Sequence, residues 1–583
     1  MPKKNINKQN TTKLFSKRLL ICAICISVIF FALIIRLIFL QFVQGSELKE
    51  SAYRQQTTNK IISAKRGTIY DSTGKVLAKS IPVDTISINP QKVKYSDEKD
   101  VPPEVLTQIF VDVFGLDYNS TLEKVTKNAS TVVIVSKIEK EKVDIFKQIL
   151  AEKKITSGIN IDNDTKRYYP YDSLASTLIG SFGTDNGLAG IESAWDSVLT
   201  GTRGRKTTTT DSANNEIPNA DQSYVAAQNG YDLTLTIDVN IQSIAEKYLT
   251  AAVTENTASR GGNVIIMNPS SGDILAMASS PVYNLNEPFS VDMSTWNNTT
   301  ITNTYEPGST FKLINAAIAL EENIIDTDTK SFYCNSYENI SGTIIKCWKY
   351  PSMHESQSLR EALMNSCNPS FMQLISRIDK QTLYKYYEAF GLFSRTGISS
   401  AGEGNSLFHD INNLNSVELA TMSFGQRINV TPIQLITAVS AIANDGVLVQ
   451  PKIVKELTNT DTGAVTTIDT VNVRQVISKE TSSKMLDMMQ SVVTDGTGRY
   501  AAIPGYSIGG KTGTSEANPN KPDEGYTASY IAVSPALNPE IIILVTLYGL
   551  NGTSYQGSSV AGPVVKQILS EVLPYMGIAS TQN

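Results

Sequence analysis

The stretch Tyr305-Glu306-Pro307-Gly308-Ser309-Thr310-Phe311-Lys312 decides how the rest of the chain is read. Pro307-Gly308 predicts a turn, and the apolar positions that follow (Phe311, Leu313, Ile314, Ala317, Ile318) predict a largely buried helix. Ser309 then lies in the first turn, where unpaired backbone N–H groups and the helix dipole favour developing negative charge. Lys312, three residues on, stands over the same helical face. A lysine held in apolar surroundings loses hydration, which disfavours its charged form and makes it available as a base. The spacing alone does not decide the chemistry. Ser46 to Lys49 and Ser96 to Lys99 repeat it in charged surroundings that predict solvated surface.

Two later elements supply the company it needs. Ser366-Cys367-Asn368 falls between two helical patterns, Leu359 to Met364 and Pro369 to Ile378; Asn368 is expected as the N-cap and Pro369 as the first helical residue. Gly509-Gly510-Lys511-Thr512-Gly513-Thr514 reads as a glycine-rich strand. Alternation puts Lys511 and Thr512 on opposite faces, so they converge only on a ligand lying along the strand's edge, where a peptide could add as an extra strand. Lys-Thr-Gly occurs once, whereas Ser-x-Asn also occurs at residues 87–89 and 212–214. With only His354 and His409 in the chain, neither a Ser-His-Asp triad nor a histidine-rich metal site is expected, which leaves Ser-Lys chemistry. In their order and settings the three elements resemble the active site of the penicillin-binding proteins and serine β-lactamases.

A chain of 583 residues with 41% hydrophobic and 18% charged residues is folded and has more than one domain. Lys3, Lys4, Lys8, Lys13, Lys17 and Arg18 make the first eighteen residues +6; with a net charge of −5 for the chain, the remainder carries −11. Basic character is thus confined to the leader, and no nucleic-acid binder is implied. From Leu19 to Val43 the sequence is almost continuously apolar, and about 25 residues at ~1.5 Å each span a bilayer. Arg36, near the far end, is placed to snorkel. No small-x-small cleavage site follows, so an uncleaved anchor is expected, with its N-terminus inside and everything after it outside. Cys22 and Cys25 fall in the span, and Ile21 and Ile24 stand where a lipoprotein cysteine needs a small residue before it. Beyond it are Cys334, Cys347 and Cys367. Two readings are open for these: a disulfide between Cys347 and Cys367, which would tie the loop carrying Ser366, or three buried free thiols.

Between span and site, Thr68 to Tyr70 and Val76 to Ala78 predict a hairpin around Asp71-Ser72-Thr73-Gly74. With Arg66-Gly67 before it, this resembles the motif that opens the non-catalytic domain of class B penicillin-binding proteins. Arg167-Tyr168-Tyr169-Pro170, Gly187-Leu188-Ala189-Gly190-Ile191-Glu192 and Leu199-Thr200-Gly201 resemble its later motifs. The stretch 207–230 turns polar and marks a boundary. Strands are expected at Leu233 to Ile237, at 263–267 and 273–277, and from Tyr530 to Leu547, with helices capped by Asp238 and over Val560 to Leu573. That order, sheet first, helices in the middle and strands last, is an α+β pattern. Met422-Ser423-Phe424-Gly425-Gln426 and Thr431-Pro432 resemble the division-type branch, which has Gly where Arg427 stands.

The resemblance implies residues 1–18 as a cytoplasmic basic tail, 19–43 as a transmembrane anchor, 44–225 as a dimerisation or pedestal domain, 226–578 as the transpeptidase domain and 579–583 as a C-terminal tail. It implies a peptidoglycan D,D-transpeptidase of septal or spore wall, with no cofactor or metal, in which Ser309 attacks the bond between two terminal D-alanines. Lys312 accepts the proton, kept neutral partly by Lys511; Ser366 relays a proton to the leaving D-alanine, and Asn368 orients Lys312. Lys511, Thr512 and Thr514, with Gly513 between them, receive the terminal carboxylate, and the N–H groups of Ser309 and Thr514 form the oxyanion hole. Stem peptides and β-lactams are the implied ligands, and a separate glycosyltransferase an implied partner, since no such region is recognisable before the boundary. A D,D-carboxypeptidase, a secreted β-lactamase and a non-catalytic scaffold or β-lactam sensor are the rival readings. An acylation test separates the last of these from an enzyme.

Overall fold

The computed structural model describes residues 8–62, 64–209, 223–516, 522–552 and 554–580. The first seven residues of the basic tail, the Ser-x-Asn match at 212–214 with most of the polar boundary, and the last three residues lie outside the described residues. Two compact units emerge: residues 1–64 with 202–228, and residues 65–201 with 229–583.

In the first unit, helix α1 (Lys8–Ile38) runs on as a π-helical turn, Phe39–Val43. Among the described residues it is the one helix long and apolar enough to cross a membrane, over Phe15–Val43, with apolar side chains exposed all round. The unit also holds an antiparallel sheet of Thr57–Ile62, Gly204–Thr209 and Ser223–Val225.

The second unit contains two larger sheets. One is mixed and seven-stranded, in the order Val465–Thr467, Val454–Asn459, Tyr231–Leu235, Ile69–Tyr70, Val76–Ile88, Val132–Ile138, with Ile159–Tyr168 also paired along Val76–Ile88. The hairpin expected at 68–78 forms, and its second strand runs on to Ile88. Three separate stretches then meet on one buried carboxylate. Glu192 accepts from Arg66 (Nη2–Oε2 2.7 Å) and from Arg167 (Nε–Oε1 2.6 Å), and all three side chains are almost fully enclosed. Asp71, also buried, closes the hairpin turn through Thr73 and Lys75 and accepts from Val239 N–H at 3.1 Å, at the start of helix α2 (Val239–Glu255). As expected, Asp238 caps that helix, accepting from Asn240 and Ile241 N–H.

The other sheet is antiparallel. Strands β1 (Gly262–Met267) and β2 (Ile274–Ser280) open it. Then come the helices α3 (Lys312–Glu321), α4 (Leu359–Met364) and α5 (Asn368–Ile375). Strands β3 (Gly509–Ser515), β4 (Tyr526–Ser534) and β5 (Ile541–Leu550) and helix α6 (Gly557–Tyr575) close the fold. Strand order is β2-β1-β5-β4-β3, so the last strands return beside the first and β3 is left on an edge. β5 is buried along its whole length because alternate residues serve two cores. Ile542 and Leu544 join the core around α3, whereas Ile541, Ile543 and Val545 join the one beneath α2 and α6.

Candidate active site

Ser309 sits on a 3₁₀ turn, Gly308–Phe311, that runs directly into α3, rather than on the first turn of the α-helix itself. The Lys312 N–H donates to the Ser309 carbonyl, and in a 3₁₀ turn side chains three apart eclipse, so Ser309 and Lys312 share a face. Gly308 is what permits this. Its φ is +56°, its N–H donates to Gly425 O at 3.0 Å, and a Cβ there would lie 2.5 Å from Thr514 O of β3. The Ser309 turn, the Gly425 loop and strand β3 are therefore in backbone contact.

Around Lys312 the three motifs converge. Its Nζ donates to Ser366 O at 2.8 Å and to Asn368 Oδ1 at 2.7 Å, with Ser366 Oγ at 3.4 Å. Lys511 Nζ donates to the same Ser366 Oγ at 2.9 Å and to Thr512 O at 3.1 Å, with Thr512 Oγ1 at 3.4 Å. The Ser366 hydroxyl thus bridges two amines that are both fully buried. Burial pushes Lys312 down to about 7, with the Cys367 and Cys347 sulfurs pulling the other way. Lys511 is held well below the ordinary lysine range by burial and then by the charge of Lys312. Burial, expected for Lys312 together with a part played by Lys511, is the leading cause at both amines. Among the described residues only neutral oxygens accept from either amine, so the pair accommodates one positive charge more readily than two. Ring faces of Phe371 and Phe424 stand 5.3 and 6.0 Å from Lys312 Nζ.

Asn368 is not the N-cap of α5. Cys367 holds that position without a side-chain cap bond, and Asn368 is the first helical residue. Its carboxamide oxygen accepts from Lys312 Nζ instead. Ser366 has φ +51°, a costly conformation for a non-glycine residue, held here by the bonds to both lysines. The other expected residues lie on β3. As an edge strand it presents Lys511 and Thr512 together, and Thr514 Oγ1 accepts from Gly557 N–H at 3.1 Å. A Cβ at Gly513 would strike Ser529 Oγ at 2.4 Å and Pro307 O at 2.8 Å, so only glycine lets the strand lie this close to the turn. Ser309 joins through its carbonyl, which accepts from Lys312 N–H.

Residues that sequence reasoning passed over also support the site. Glu306, in the opening stretch, accepts from Arg427 N–H at 2.9 Å and from Ser515 Oγ at 3.3 Å, and burial raises its pKa. Its place beside Pro307 was the only available signal. Arg427 has φ +61°, which is why glycine suits that position. Cys334, Cys347 and Cys367 are free and buried, all three sulfurs meeting in one place, so no pair among them is singled out. The decoy Lys99 is paired with Asp97 on the surface.

Residues 262–570 match the penicillin binding protein transpeptidase domain, and residues 61–235 the penicillin-binding protein dimerisation domain. The stage V sporulation protein D of Bacillus subtilis (strain 168) is 34% identical over 97% of this chain and 87% of its own length. The peptidoglycan D,D-transpeptidase FtsI of Escherichia coli (strain K12) is 28% identical over 96% and 92%. Penicillin Binding Protein 2X from Streptococcus thermophilus shares the fold, with a TM-score of 0.73, 24% identity and coverage of 89% of this chain and 80% of that one. The chain belongs to the class B penicillin-binding proteins, the serine-type peptidoglycan D,D-transpeptidases.

Proposed function

We propose that Ser309 is the acylated nucleophile, and that the Ser366 hydroxyl bridging two buried amines is the observation that carries the reading. Neutral Lys312 takes the Ser309 proton as Oγ bonds to the carbonyl carbon of the penultimate D-alanine. The resulting oxyanion is received by the N–H groups of Ser309 and Thr514; losing one such donor typically costs about 10²–10³ in rate. When the C–N bond breaks, the proton on Lys312 passes through Ser366 to the amine of the departing D-alanine. An acceptor amine from a second stem peptide then attacks the ester, its proton returns to Ser309 through Lys312, and the cross-link is released. Lys511, Thr512 and Thr514 hold the terminal carboxylate, Asn368 holds Lys312 and a substrate amide, and the edge position of β3 lets the donor peptide add as a strand.

The finer assignments rest on the same reading. The basic leader orients the anchor with residues 1–18 in the cytoplasm and the rest outside. Residues 44–225 form the non-catalytic part and 226–578 the transpeptidase part. A separate glycosyltransferase makes the strands to be joined, and the sporulation protein among the relatives favours spore wall over septum. Intact-mass measurement after labelled penicillin tests the core of this. One adduct is expected on the wild type and none on Ser309→Ala; an adduct of equal mass on both removes Ser309 from the chemistry.

A further inference from the structure

Behind the Ser366 loop lies a cluster the mechanism does not use. Cys334 ends the strand Phe332–Cys334, and Cys347 follows the hairpin of Tyr337–Ile340 and Thr343–Lys346. His354 precedes the strand Glu355–Gln357, and Cys367 is the N-cap of α5. One donor atom from each of the four lies within 4.8 Å of all the others. His354 Nδ1 is 3.7 Å from Cys334 Sγ and 3.6 Å from Cys347 Sγ. A tetrahedral zinc ion with Zn–S of about 2.3 Å and Zn–N of about 2.0–2.1 Å has ligand-to-ligand edges of roughly 3.5–3.8 Å. The two imidazole–sulfur distances already stand at that spacing, and the remaining pairs lie within 4.8 Å. The three sulfurs are buried and pack on one another, forming their own cluster apart from the aliphatic cores. Three thiols cannot be satisfied by one disulfide, whereas a soft dication takes all three as thiolates together with the imidazole.

We propose that Cys334, Cys347, His354 and Cys367 bind one structural zinc ion that clamps the Ser366–Asn368 loop from behind. Four protein ligands fill the tetrahedron and leave no open position, so the ion takes no part in the acyl chemistry. The thiols release their protons to solvent as the metal binds. What the ion holds is strain. Ser336, Glu355 and Ser366, each next to a ligand or two residues from one, have φ of +65°, +57° and +51°. Further bonds tie the same loops together: Cys347 N–H to Ser336 O at 2.7 Å, and Trp348 Nε1 to Asn365 O at 2.8 Å. Cys367 lies between Ser366, whose carbonyl and hydroxyl meet the lysines, and Asn368, whose carboxamide meets Lys312. Positions of all these acceptors are therefore set from the metal side as well as from the lysine side.

The site is independent of how Ser309 reacts, and its test keeps the two questions apart. Full-length protein in detergent micelles, purified without chelator, is expected to carry one zinc per chain by plasma mass spectrometry. Exchange with Co²⁺ should give tetrahedral d–d absorption and a thiolate-to-cobalt charge-transfer band. Cys347→Ser and His354→Ala should each weaken zinc retention at least tenfold against a competing chelator. Stripping the metal should slow penicillin acylation, with recovery on adding Zn²⁺ but not Mg²⁺. Ser309→Ala should keep its zinc while losing the adduct. Background metal content and no cobalt spectrum in protein that still acylates would overturn the site, as would a disulfide among the three cysteines in its intact mass.

Discussion

Two regions of this molecule bury charge-bearing groups, and they do so in opposite ways. In the non-catalytic part, Arg66 and Arg167 close on Glu192 from two sides, with Asp196 2.7 Å from Arg66. Opposite charges face each other with short, charge-assisted hydrogen bonds. In the site, Lys312 and Lys511 face the same hydroxyl with neutral acceptors around them. There burial is left uncompensated, and the amines are pushed toward neutrality. The first arrangement ties three distant stretches into one fold, and the second supplies the base in the mechanism proposed above. A buried charge with a counter-charge is read as structure; a buried amine without one is read as chemistry.

The largest effect should come from breaking the second region without emptying it. Lys312→Met keeps most of the side-chain volume and removes the amine, so acylation by penicillin in stopped-flow should fall about 10²–10⁴-fold while the thermal midpoint holds or rises. A variant that unfolds while leaving acylation intact would reverse the comparison. Glu192→Gln should do the opposite. It leaves two buried guanidinium groups short of charge and should cost about 3–5 kcal/mol in denaturant unfolding, with the acylation rate of the folded fraction unchanged. The smallest effect is a sharpening one, the pH profile. Because the Lys312 pKa is lowered to about 7, the neutral amine prevails above that value. Acylation should therefore be flat above pH ~7 and fall roughly tenfold per unit below it. Cys367 and Cys347 are the titratable neighbours acting on it, and its own charge acts on Lys511. A rate flat down to pH 5 would mean that Lys312 is not the base.

Much of this was legible because it is local. Ser309 with Lys312, Pro307-Gly308 before them, and the capping role of Asp238 all depend on residues a few positions apart, where helix and turn geometry dictate the outcome. Local rules also misled. Asn368 in front of a helix looks like a cap, and only Lys312, 56 residues away, draws its carboxamide elsewhere. The motifs holding Arg66, Arg167 and Glu192 were each visible, but their meeting on one carboxylate was not. Cys334, Cys347, His354 and Cys367 follow no close spacing, so nothing along the chain announced that they share one place.

By itself the sequence determined the anchor, the α+β order of elements and the three motifs, since these follow from hydrophobic period, charge and short-range backbone preference. Tertiary structure alone decided that Ser366, 54 residues from one lysine and 145 from the other, would bridge them, and that β5 would feed two cores at once. Covalent spacing constrains neighbours within a turn or two. Contacts across a hundred residues exist only once the assembled sheet and packed helices have fixed where each strand and loop must lie.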